Sequence, residues 1–77
     1  MPRRGRADQV AEAFGAAVRE TRLERGETLE DVAHRIERMD AKYLGEIERA
    51  WHSPSLSTAK RIADALELPL VDLVRNL

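Results

Sequence analysis

The stretch Thr28-Leu29-Glu30-Asp31-Val32-Ala33-His34-Arg35-Ile36-Glu37-Arg38-Met39-Asp40-Ala41-Lys42-Tyr43-Leu44-Gly45-Glu46-Ile47-Glu48-Arg49 decides the fold. Its first four residues are a variant capping box. A threonine hydroxyl can accept from the backbone N–H three residues on, and the acid there can return the bond. Behind the box, Leu29, Val32, Ala33 and Ile36 fall at i, i+3, i+4 and i+7, one apolar face of a short helix of about two to three turns. Residues 37–39 hold neither glycine nor proline, so the break there is read from a shift in apolar phase. Asp40 suits the N-cap of the next helix. Ala41, Lys42 and Tyr43 then occupy its first turn, with Leu44 and Ile47 as its apolar positions.

Working outward, Val10, Phe14, Ala17, Val18 and Thr21 mark one face of a preceding helix, with Asp8 as its expected N-cap and Gly26 as its stop. On the other side, Trp51-His52-Ser53-Pro54 reads as a loop, because Pro54 blocks helix continuation. Ser57 is the expected cap of a fourth helix containing Ala59, Ile62, Ala63 and Leu66. After Pro69, the stripe Leu70, Leu73, Val74 and Leu77 gives a short fifth helix. No β-type alternation and no internal repeat is visible. The class is all-α, with five helices in one domain over 1–77.

Composition narrows the function. Seventy-seven residues leave room for one small domain with a thin core. There is no cysteine, which excludes disulfides and Cys-based zinc sites. The two separated histidines, His34 and His52, do not suggest a metal scaffold, so neither metal nor cofactor is expected. The net charge of −1 rules out an overall basic coat. The charge is uneven, however, since Arg3, Arg4 and Arg6 make residues 1–7 a basic arm on an acidic body. No apolar run approaches a membrane span, and the N-terminus lacks an apolar signal core, so a cytoplasmic location without membrane association is expected. No phosphate-cradling glycine loop, nucleophile–base arrangement or metal set appears, so an enzyme is not expected.

Two short helices joined by a brief turn are the form of a helix-turn-helix, here over residues 28–49. The residues carry the reading further. Gly26-Glu27-Thr28-Leu29-Glu30-Asp31-Val32-Ala33, then Tyr43-Leu44-Gly45-Glu46-Ile47-Glu48-Arg49, then Ser53-Pro54-Ser55-Leu56 resemble the lambda-repressor-like, or XRE, family. Arg61-Ile62-Ala63-Asp64-Ala65-Leu66 and Pro69-Leu70-Val71-Asp72-Leu73 are similar to its fourth and fifth helices. Three positions depart from the family pattern. Leu29 stands where a phosphate-holding glutamine is usual. Ala50 replaces the common glycine, and either takes a positive φ or ends the helix differently. The ten steps from Ala33 to Tyr43 are one more than usual, lengthening the turn at Glu37-Arg38-Met39.

The resemblance implies a role for each site residue. In the family register Ala41, Lys42, Gly45 and Glu46 face the major groove. Lys42 can donate to guanine, Glu46 can accept from the cytosine amine, Ala41 can touch a thymine methyl, and Gly45 allows close approach. The alternative for Lys42 and Glu46 is a solvated i,i+4 ion pair. Phosphate contacts are expected from Thr28, Arg38, Tyr43, Arg49, His52 and Ser53. Arg3, Arg4 and Arg6 would follow the backbone or enter a narrow minor groove. Arg22 and Glu48 are expected to pair and orient the reading helix. Trp51 is expected to pack over the third and fourth helices, and Tyr43 either packs or reaches a phosphate.

The implied function is a sequence-specific regulator of transcription bound to double-stranded DNA. It would act as a homodimer on a palindromic operator, with Leu70, Leu73, Val74 and Leu77 (the 70–77 helix) as the dimer contact. By length it is most similar to restriction–modification controller proteins. An acidic pair such as Glu30-Asp31 could meet RNA polymerase. The competing reading is a protein-interaction module on the same scaffold, such as an antitoxin with a toxin partner.

Overall fold

The computed structural model describes the backbone of residues 6–75 and the side chains of residues 9–75. Among the described residues five helices follow in order: α1 (Arg6–Glu24), α2 (Leu29–His34), α3 (Ala41–Glu48), α4 (Leu56–Ala65) and α5 (Leu70–Val74). The caps show why they begin where they do. The Thr28 hydroxyl accepts from the Asp31 N–H at 3.0 Å, and the Thr28 N–H donates to Asp31 Oδ2 at 2.9 Å. That is the full capping box at the start of α2. Asp40 Oδ1 accepts from the Tyr43 N–H at 2.7 Å and caps α3.

Several boundaries differ from the sequence reading. Asp8 lies inside α1, which already runs from Arg6. Ser55, not Ser57, caps α4, its hydroxyl accepting from the Thr58 N–H at 3.1 Å. This earlier cap follows Pro54 directly and leaves Leu56 in the first turn, 77% exposed. The helix α2 has only six residues, and Ile36 is buried from the turn that follows it.

Three helices end in the same way. At the end of α1 the Glu27 N–H reaches the Arg22 carbonyl and the Gly26 N–H reaches that of Leu23, with Gly26 at φ 68°. This pair of bonds around a left-handed residue is the Schellman arrangement. It recurs at Ala50 (Trp51 N–H to Glu46, Ala50 N–H to Ile47) and at Glu67 (Leu68 N–H to Ala63, Glu67 N–H to Asp64). There a non-glycine residue holds φ 61° or 59°. Arg38, in the glycine-free turn between α2 and α3, is also left-handed, at φ 62°.

One core joins the elements. Phe14 and Val18 of α1 meet Val32 and Ala33 of α2, Leu44 and Ile47 of α3, Ile62, Ala63 and Leu66 from α4 and its end, and Leu73 of α5. The fifth helix is therefore not a free stripe. Leu73 is only 2% exposed, and Leu70 and Val74 pack against the core. A five-residue helix folded back onto α1 and α4 turns these positions inward. Among the described residues, no helix is long and apolar enough to cross a membrane.

Candidate nucleic-acid interface

The helix α3 is held by α1. A Cβ placed on Gly15 would lie 2.4 Å from the Ile47 carbonyl oxygen and 2.7 Å from that of Glu48, so the two backbones meet where only glycine fits. Next to this contact, Arg22 Nε donates to Glu48 Oε2 at 2.7 Å and its Nη2 to Glu48 Oε1 at 3.0 Å. The Arg22 Nη1 donates to the Glu27 carbonyl at 2.9 Å. One guanidinium thus ties together α1, the turn before α2, and the end of α3. The two side chains are 10% and 4% exposed. The hydrogen bonds that Arg22 donates to Glu48 raise its pKa above its ordinary value, against the opposing effect of burial. Sequence reasoning passed over Gly15. Its signal was a glycine in a helix interior, a position that costs stability unless close packing requires it.

On the outer side of α3 the predicted base-reading residues do not share one environment. Lys42 is exposed and makes no ion pair among the described residues. Ala41 is half-buried. Gly45 is buried, and a Cβ there would stand 3.3 Å from both Leu29 Cδ1 and an Arg49 guanidinium nitrogen. It therefore lies under those side chains rather than open on the surface. Leu29, in the usual glutamine position, has become packing for α3. Glu46 does not pair with Lys42. Its Oε1 instead lies 2.9 Å from His52 Nε2.

The expected phosphate contacts spread around this helix. Thr28 spends its N–H and one acceptor site on the capping box, while its hydroxyl hydrogen can still be donated. The Tyr43 N–H is taken by Asp40, and its ring lies 5.1 Å from the His52 imidazole at a tilt of 30°. Arg38 is exposed in the turn. The Arg49 guanidinium sits 4.6 Å from the centre of the Trp51 ring, a cation–π stack. Trp51 does not pack over α3 and α4 as expected. It is 65% exposed, because the left-handed residue before it turns it away from the core. Ser53 is exposed and borders an apolar groove of about 220 Å³ between α1, Pro54, Leu56 and α5. Arg3, Arg4, the Arg6 side chain and Leu77 lie outside the described residues.

A second charged cluster lies on the far side of α2. Glu27 accepts from Arg25 Nε at 2.7 Å and from Arg35 Nη2 at 2.8 Å, and Arg25 also reaches Glu67 at 2.8 Å. These bonds, that from Arg35 first, hold the Glu27 carboxyl at about 2, below its usual 4.5. They tie the ends of α1 and α4 to α2.

Comparison with known proteins agrees with this architecture. A family model described as "Helix-turn-helix domain" matches residues 13–77. The transcriptional regulator ClgR of Mycobacterium tuberculosis, in strains CDC 1551 / Oshkosh and ATCC 25618 / H37Rv, is 39% identical over 61 residues. The match covers 79% of this chain and 54% of ClgR, so the chain spans about half the length of these curated relatives. Among solved structures, the clp gene regulator ClgR from C. glutamicum superposes with a TM-score of 0.80 at 32% identity, over 86% of this chain and 84% of that one. A hypothetical transcription factor, NHTF from Neisseria, shares the fold with a TM-score of 0.78 at 23% identity, over 96% and 85% of the two chains.

Proposed function

Because this chain belongs to the helix-turn-helix domain family, we propose that it is a transcriptional regulator that binds double-stranded DNA sequence-specifically in the cytoplasm. The observation that carries the reading is the state of Lys42. It is a long cation on the outer side of a helix fixed from behind by Gly15 and Arg22, and it is exposed and unpaired among the described residues. A lysine so held can donate to guanine O6 or N7 once α3 enters the major groove. Ala41 and Glu46 accompany it there, while Thr28, Arg38, Tyr43, Arg49 and Ser53, with the basic arm, meet phosphates. Such contacts position the protein without reading sequence.

So few reading residues cannot select a long site, and dimerisation supplies the remainder. A homodimer would set two reading helices about 34–36 Å apart on a palindrome. With Leu73 in the core, its contact moves to the partly open positions Leu70 and Val74 together with Val10 and Leu56. The names of the ClgR relatives favour a gene regulator of their kind. The restriction–modification controller reading rests on chain length alone, and nothing in the acidic surface singles out RNA polymerase. The same apolar groove favours the second reading, a protein-interaction module with a toxin or other protein partner.

Site selection from a random duplex pool, followed by titration of the recovered site, separates the two readings. The regulator reading predicts an enriched palindrome bound well above random duplex at equal salt. Failure to bind any duplex more tightly than about micromolar at low salt supports the interaction module instead.

A further inference from the structure

We infer that His52 is a specificity-determining positioning residue: it holds Glu46 as a fixed acceptor on α3 and keeps Lys42 free to donate. The inference rests on the proposal that α3 reads DNA, and it names how that reading is set. The geometry starts at Ala50. Its left-handed backbone, closed by the Trp51 N–H to Glu46 carbonyl bond of 2.9 Å, reverses the chain at the end of α3. The reversal brings His52 back over the helix. Tyr43 and Glu46, three residues apart, lie on one face of α3, and the imidazole meets both. Its ring sits 5.1 Å from that of Tyr43, and its Nε2 lies 2.9 Å from Glu46 Oε1.

An ionised carboxylate only accepts, so Nε2 carries the hydrogen in this bond. The bond uses one oxygen. Glu46 Oε2 has no hydrogen-bond partner among the described residues, and a carboxylate has capacity for more than one donor. The Glu46 side chain is 17% exposed and that of His52 45%, so the acceptor is restrained while remaining reachable. An unrestrained glutamate here would swing toward Lys42, four residues before it and its i,i+4 neighbour. That swing would occupy Lys42, which forms no ion pair among the described residues. His52 thus acts on both reading residues: it orients the acceptor for a cytosine amine and leaves the donor unpaired.

The test is site selection with wild type, His52→Ala, His52→Gln, Glu46→Ala and the His52→Ala/Glu46→Ala double variant, each first shown to unfold cooperatively. Wild type is expected to prefer cytosine at one position of each half-site by at least about fivefold. His52→Ala and Glu46→Ala should flatten that same position, and the double variant should flatten it no further. His52→Gln, which keeps an N–H donor, should retain the preference. The inference is overturned if His52→Ala weakens every duplex alike and leaves the wild-type base profile intact, the behaviour of a phosphate contact. A wild-type pool with no preference at any position would sink the DNA-reading proposal itself, and this one with it.

Discussion

Ala50 holds φ 61° at the end of α3, where a Cβ crowds the following carbonyl. A left-handed alanine costs roughly 1–2 kcal/mol, partly offset against glycine's larger entropy loss of about 0.5–1 kcal/mol. Ala50→Gly should therefore raise unfolding stability by about 0.5–1 kcal/mol in urea, with the Schellman bonds retained. Glu27 gives a pH dependence. Its carboxyl is pulled down to about 2 from 4.5 by Arg35 and Arg25, so its folded value lies below its unfolded one. The contribution is present above the unfolded value and lost as pH falls from about 4.5 toward about 2. Urea midpoints followed through that interval should fall less steeply for Glu27→Gln than for wild type.

The helices α1 and α3 share their closest contact at Gly15, and the bidentate pair Arg22–Glu48 lies beside it. Gly15→Ala would drive a methyl into two backbone carbonyls, which cannot rotate aside. It should cost about 1–3 kcal/mol or more, read as a lowered denaturant midpoint. Removing Arg22 alone strands a carboxylate that is 4% exposed, so Arg22→Met should cost about 3–5 kcal/mol, and Arg22→Met/Glu48→Leu should recover much of that loss. At this scale the sequence was legible wherever local chemistry decides. The Thr28 box and the Asp40 cap need only a side chain three residues from its partner. The start of α4 was not legible, because Ser55 and Ser57 have the same chemistry and only tertiary packing of Ala59, Ile62 and Leu66 chooses between them. Gly15 escaped notice because its reason lies on another helix. The length of α2 was overread because Ile36 keeps the helical phase while lying in the turn.

Across the whole molecule, the five-helix order and most of the core followed from apolar spacing, since a 3.6-residue period directs side chains inward irrespective of partners. The surface was harder to read. A positive φ at Ala50, one of the two outcomes the sequence left open, carried Trp51 outward and His52 back over α3. The burial of Leu73 in the fifth helix was harder to read, because it depends on α1 and α4. Two exposed regions stand out: the surroundings of α3, with Lys42, Arg38 and Arg49, and an apolar groove bordered by Val10, Leu56, Leu70 and Val74. We propose that DNA meets the first and a protein surface the second. Backbone amide NMR of the chain titrated with duplex DNA tests that division most directly. The predicted result is that shift changes concentrate at Thr28, residues 41–46 and residues 49–53. Changes confined to the groove lining, with α3 undisturbed, would contradict the account.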